Sequence, residues 1–307
     1  MTNTMQAGDK VSIESSDMLP LALDDIGLVS GVIIVDRLRT IAGALLDEAE
    51  HLERFQQSCH LVGIELPSAE DLHIRALECV ERGRACYAGD DFNLVLLATP
   101  GRLHTRDRQP TLMMHTQSIA WERLAQWFRV GQTLTISEVR NVPESCWSPK
   151  IKTRARLHYY LADQEALART RDPHAAGLLL DQDGFVTETS SANVLIVEGE
   201  RLISPRRERI LDGISLGRTL RLAERRRTEV RFDDISIERA KAADAMWLCG
   251  SSGCLWQAGR LDERAYDFAR SEQLFAQFVD DWTRDVGIDY VGQAWECAAR
   301  KPEAGID

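Results

Sequence analysis

The chain has 307 residues, 44% hydrophobic and 28% charged, with 20 glycines and 9 prolines. This is the composition of a folded globular protein and excludes collagenous, low-complexity and largely disordered classes. Acidic residues outnumber Lys and Arg 48 to 37, a formal charge of −11, so no bulk electrostatic grip on nucleic acid or anionic lipid is expected.

Residues 1–29 are polar and show little periodicity. GVIIVDRLRT at 31–40 opens with β-branched residues and then alternates, which predicts a strand. A helix is expected from Asp47, read as its N-cap, to about Val62, with Leu52, Phe55, Cys59 and Val62 as its buried stripe. A second helix covers about 69–85 and a buried strand 93–98. Gly101–Pro110 is an arginine-rich loop. A strand at 111–116, a short helix at 121–128 and a strand at 133–140 follow. Residues 141–149 hold two prolines and no periodicity, so a linker is placed there, between domains at 1–140 and 150–307.

Beyond the linker, 153–169 reads as a helix with Leu157, Leu161 and Leu167 among its apolar positions. Strands are expected at 178–180 and 186–197 around the turn Asp181–Gly184, where Asp-Gly supplies positive φ. Glu198–Glu200 turns the chain into Leu202 and Ile203. A helix near 215–226, strands at 229–232 and 245–248, and a helix at 271–282 complete the pattern, an α+β chain without internal repeats. Nothing approaches the ~20 apolar residues of a membrane span. The first ten residues carry no secretory signal, so the cytoplasm is the expected compartment. The seven cysteines form no C-x-x-C pair, and the seven histidines show no metal spacing.

Lysine occurs only at positions 10, 150, 152, 241 and 301. Lys150 and Lys152 stand apart because they flank Ile151 at the presumed domain junction, where pockets are common. From position alone a lysine before a helix is simply exposed. Likewise Glu188 reads as an outward polar residue on an alternating strand, Arg54 as an i,i+4 partner of Glu50 on a wet helix face, and Gly213–Ser215 as ordinary helix capping.

Several segments together resemble one family. They are Ile151-Lys152-Thr153 with the helix after it, the block Gly184 to Val194, Leu211 to Ser215, Cys249-Gly250-Ser251, and Leu38–Thr40 followed by Glu50 to Phe55. In this order they are similar to the class IV, or fold-type IV, pyridoxal-phosphate enzymes, which include branched-chain and D-amino-acid aminotransferases and aminodeoxychorismate lyases. The resemblance covers roughly residues 30–260.

It implies a two-domain α+β fold with the pyridoxal 5'-phosphate cleft between the domains, a homodimer, and transfer of an amino group between an amino acid and a 2-oxo acid. A lyase on the same scaffold and a non-catalytic relative are the alternatives. By the resemblance Lys152 bonds the cofactor aldehyde, with Lys150 as positional competitor, and a partly desolvated amine suits that chemistry. Glu188 faces the pyridine nitrogen. The amides of Ile214 and Ser215 hold the phosphate, Ser251 adds a hydroxyl, Ser191 belongs to the same cofactor-binding set, and Arg54 clamps the phosphate bidentately. Arg102, His104 and Arg106 are candidates for the substrate carboxylate.

The chain departs from the family pattern at Ala155, at Ser215-Leu216 and at Val35-Asp36. A grip made by backbone amides survives these changes, whereas the substrate class stays open.

Overall fold

The computed structural model describes residues 4–6, 21–104 and 109–300. It divides into two compact units, one of residues 1–119 with 150–156 and one of 120–149 with 157–307. The predicted boundary at 141–149 is therefore corrected. The chain leaves the first unit at Ile119 and returns to it briefly at Lys150.

The first unit comprises β1 (Thr4–Gln6), α1 (Ile26–Ser30), β2 (Ile34–Ile41), β3 (Ala44–Leu45), α2 (Glu48–Leu61), α3 (Ala69–Gly83), β4 (Phe92–Thr99) and β5 (Thr111–Ser118). Its strands pair in the order β1-β5-β4-β2-β3, antiparallel throughout. Alternation sends Ile34 and Leu38 of β2, Leu94 and Leu96 of β4, and Leu112 and Met114 of β5 to one face. There they meet Leu52, Phe55 and Cys59 of α2 and Leu72, Ala76, Cys79 and Val80 of α3 in one core. A fully buried side chain of the size of Phe55 contributes about 1.5–3 kcal/mol to that core.

The expected stripe of α2 is thus the packed one, but its expected cap is not. Asp47 sits at φ 51° and makes no side-chain capping bond, because β3 and the turn before it feed the helix from a left-handed residue. By contrast Ser68 caps α3 by accepting from Asp71 N–H at 3.1 Å.

The second unit contains α4 (Trp121–Val130), β6 (Gln132–Arg140), α5 (Leu157–Arg169), β7 (Ala176–Leu180), β8 (Val186–Thr189), β9 (Asn193–Glu198), β10 (Arg201–Pro205), α6 (Ile214–Arg226), β11 (Val230–Asp233), α7 (Ile237–Ala242), β12 (Ala245–Gly250), β13 (Cys254–Leu261), β14 (Arg264–Ala265), α8 (Glu272–Val286) and α9 (Tyr290–Ala299). The sheet order is β11-β10-β9-β12-β13-β6-β7-β8, with β14 on β13, and β8 also pairs with β9. That last pairing, Glu188 opposite Asn193, closes β9-β12-β13-β6-β7-β8 into a ring and leaves no edge there.

The strand expected over 186–197 is two strands, split at Ser190–Ala192. The helix expected from Thr153 begins at Leu157, since 150–156 runs extended against β2 of the first unit. Leu157, Leu161 and Leu167, expected to pack, are 69%, 43% and 38% exposed. The residues after 260 complete the core of this unit. Phe278, Trp282 and Tyr290 are fully buried, and Trp247 packs edge-on against Phe275 and Phe278 of α8. Among the described residues no helix is long and apolar enough to cross a membrane, and all seven cysteines are free thiols.

Candidate active site

In the second unit the site is built around Glu188. Alternation along β8 turns Thr187 and Glu188 to opposite sides, and all four residues of the strand are buried. Glu188 is only 6% exposed, which removes its reading as an outward polar residue. The turn after it is closed by Thr189, whose Oγ1 accepts from Ala192 N–H at 3.1 Å, and this brings Asn193 back opposite Glu188.

A buried carboxylate must be satisfied on both oxygens. Oε1 accepts from Tyr159 Oη at 2.8 Å. Oε2 accepts from Asn193 Nδ2 at 3.1 Å and from Leu211 N–H at 3.4 Å. The sequence reading points to neither Tyr159 nor Asn193 as its holder. Asn193 lies inside a recognisable block, but its partner follows from ring closure, and Tyr159 precedes Glu188 by a whole helix and strand.

Asn193 also donates to the Leu211 carbonyl at 3.0 Å, which fixes the loop entering α6. The N-cap of α6 is Gly213, in extended backbone with no side-chain cap. A Cβ on Gly213 would lie 1.9 Å from Asn193 Oδ1. Glycine is therefore needed for close approach, and the absence of a capping side chain leaves the first-turn amides, Ile214 and Ser215 among them, ready for an anion. Ordinary side-chain capping is excluded at this end.

Gly250, which precedes Ser251, lies close against the Ser191 backbone, since a Cβ on it would lie 2.7 Å from the Ser191 carbonyl oxygen. Gly213→Ala is expected to force Asn193 away from Glu188 and to cost about 1–3 kcal/mol, read by denaturant unfolding.

In the first unit Lys152 lies on the extended segment beside β2. Its N–H donates to Ser58 Oγ at 3.2 Å and its carbonyl accepts from Val35 N–H at 2.9 Å. Lys152 is half-buried whereas Lys150 is exposed, and only the former has the partly desolvated setting that a reactive amine needs.

Across β2, a second charged group is fully buried. Asp36 Oδ2 accepts from Arg54 Nε and Oδ1 from Arg54 Nη2, both at 2.8 Å, and His51 Nδ1 lies 2.7 Å from Oδ1. With Asp36 ionised, His51 carries its proton on Nδ1. Burial opposes ionisation of Asp36, but Arg54 and then His51 outweigh it and hold the carboxyl well below the usual range. Burial also pushes His51 down, against Asp36.

Arg54 is 7% exposed, so the Glu50 pairing on a wet face is corrected. The fork expected to clamp a phosphate is engaged by Asp36. The sequence carried a signal for this triad, an acid inside an apolar strand followed by His51 and Arg54 at i,i+3 on a packed helix.

Asp36→Asn is expected to destabilise the unit by about 3–5 kcal/mol, because Arg54 is left buried without its counter-charge. In the wild type a depressed carboxyl stabilises the fold above its unfolded pKa near 3.8 and loses that contribution as pH falls toward the folded value. Acid unfolding of the variant should show a correspondingly weaker pH dependence below pH 4.

Of the substrate candidates, Arg102 is exposed and its Nε donates to Asp24 at 2.9 and 3.1 Å. His104 is exposed, and Arg106 lies outside the described residues.

A family model described as amino-transferase class IV matches residues 34–260. The D-amino-acid transaminase, chloroplastic, of Arabidopsis thaliana is 28% identical over 256 residues, 79% of this chain and 65% of that protein. The chain thus spans somewhat less than two thirds of that curated relative's length. Among solved structures, the branched-chain amino acid aminotransferase of Escherichia coli superposes with a TM-score of 0.81 at 15% identity, covering 99% of this chain and 97% of that one. The branched-chain aminotransferase of the thermophilic archaeon Thermoproteus uzoniensis, solved with norvaline, gives 0.78 at 19% identity, covering 93% and 95%. At such identities the structures show the fold, which is fold-type IV. The family match, running from β2 to β13 through every motif block, establishes that this chain belongs to the class IV aminotransferases.

Proposed function

We propose that the protein is a pyridoxal 5'-phosphate-dependent aminotransferase that moves an amino group between an amino acid and a 2-oxo acid. The observation that carries this reading is the buried Glu188 carboxylate, held on both oxygens beside a helix N-terminus that glycine leaves uncapped. An anion for a ring nitrogen and amides for a phosphate are what the cofactor requires, so the residues fit it. When bound, the cofactor supplies an aldehyde that condenses with amines and a ring that accepts an electron pair.

In this scheme Glu188 keeps a proton on the ring nitrogen. The Ile214 and Ser215 amides, with the Ser191 and Ser251 hydroxyls, bind the phosphate. Lys152 would hold the cofactor at rest and, as a free amine, would carry the substrate α-proton on Nζ. Asp36 and His51 hold the Arg54 guanidinium in place within the first unit. The exposed Leu157, Tyr160, Leu161 and Leu167 of α5 support a homodimer, and seven free thiols support a reducing, cytoplasmic compartment.

Given a good amino donor and no oxo acid, the loaded protein should convert one equivalent of cofactor to pyridoxamine phosphate, followed by its absorption spectrum. Visible absorbance that persists through many turnovers while pyruvate accumulates would assign a lyase instead. A purified protein that binds no cofactor would leave the non-catalytic relative.

A further inference from the structure

The second unit holds a cavity of about 380 Å³ where the end of α5 meets β6 and the end of β13. Alternation puts Thr133, Thr135 and Ser137 of β6 on the face that α5 covers. Ser137 Oγ donates to Glu165 of α5 at 2.6 Å, but the helix stops at Arg169, whose Nη1 donates to the Ile136 carbonyl at 2.8 Å. Thr133 and Thr135 are left to line the cavity, and Arg260 of β13 stands opposite Thr133. This place is distinct from the surroundings of Glu188. Tyr159, which holds Glu188, is in the first turn of α5, and Arg169 is its last residue, about 15 Å away along the axis.

Thr135 is the residue that points to a ligand. It is only 3% exposed, and its Oγ1 is buried without a hydrogen-bond partner. Such a hydroxyl is costly unless a bound group supplies an acceptor. The charges around it are of both signs. Asp262 is fully engaged, accepting from Ile136 N–H at 3.1 Å and pairing with Arg169 and Lys241, each at 3.2 Å. Among the described residues Arg171 and Arg260 pair with no carboxylate, and Asp172 and Glu263 pair with no cation. Arg260 Nη1 reaches only the Asp262 carbonyl, at 3.4 Å. Asp172 Oδ1 accepts from Gln126 Nε2 at 3.1 Å and from His174 N–H at 2.9 Å, both neutral donors. Two cations and two anions without ionic partners, beside threonine hydroxyls, suit a small solute that carries both charges itself. An inorganic anion or a simple amine would meet like charge on one side.

We propose that this cavity binds a free amino acid in its zwitterionic form, its carboxylate received by Arg171, Arg260 and the Thr135 hydroxyl and its ammonium by Asp172 and Glu263. It is a second amino-acid site, separate from the one around Glu188, and it does not rest on the aminotransferase reading.

The test is calorimetric titration of the cofactor-loaded protein with proline, N-methylalanine, N-methylleucine and N-methylglutamate. These are secondary amines, which form no neutral imine with an aldehyde, so the cofactor does not consume them. Each is compared with the acid that lacks its amine and the amine that lacks its carboxylate, cyclopentanecarboxylate and pyrrolidine in the case of proline. At least one of the four should bind saturably, about tenfold more tightly than either singly charged counterpart. Arg171→Met and Arg260→Met should each weaken that binding by about tenfold, and Glu263→Gln should weaken it in the same direction. Thr135→Val should weaken it too, while the thermal unfolding midpoint stays at or above that of the wild type, because no bond is lost in the free protein.

Binding that survives both arginine variants lies elsewhere on the protein and overturns the proposal. Equal binding of the acid alone overturns it as well, by making the cavity an anion site. So does the absence of saturable binding for all four amino acids.

Discussion

Lys152→Ala should lower kcat for amino exchange by about 10²–10⁴-fold, the usual contribution of a positioned proton carrier, and the loss should be larger still where Nζ also anchors the cofactor. Lys150→Ala should stay close to wild type. The two residues are separated only by Ile151, yet their settings differ, since the Lys152 backbone is bonded on both sides, to Ser58 and to Val35. Lys150 offers its carbonyl to Ser58 and leaves its side chain exposed. Borohydride reduction of the loaded protein, followed by fragment sequencing across 150–152, should find the cofactor on Lys152. A label on Lys150 would reverse the assignment.

Glu188→Gln is expected to lower kcat by on the order of 10²–10³-fold, the scale seen when one electrostatic partner of a reacting group is removed, while cofactor affinity changes little. Glutamine has the same shape and can still pair with Asn193 and Tyr159, so the fold should persist. What disappears is the negative charge proposed to face the ring nitrogen, whereas the Ile214 and Ser215 amides proposed to hold the phosphate are untouched. Steady-state kinetics with a cofactor titration would separate these effects. A fully active Glu188→Gln protein would remove Glu188 from the chemistry.

Periodicity located most of the elements. The stripe Leu52, Phe55 and Cys59 packs as read, and 92–99 and 111–118 are strands close to where alternation put them. It failed where a side-chain turn or a partner brought by the fold sets the local conformation. The apolar run 186–197 looks continuous, but Thr189 Oγ1 closes a turn at Ala192 and splits it. β13 was missed although Cys254 to Ala258 are buried; it pairs locally with β12 and, more than 100 positions away, with β6, which leaves it buried between two strands and without alternation. Arg102 looked available for a substrate carboxylate until the fold delivered Asp24 to it.

The amino-acid sequence by itself determined the α+β class and the family, and singled out Lys152 and Glu188 as candidates, since these rest on residue type, local order and motif spacing. Tertiary structure alone decided which unit each motif joins, sending 150–156 back to the first and leaving the rest of the C-terminal half in the second. It also decided which partners each charge has: Asp36 for Arg54, and Tyr159 with Asn193 for Glu188. The reason is physical. Burying a charge requires a compensating group within about 3 Å, and which group arrives there is settled by strand order, register and ring closure, none of which local periodicity specifies.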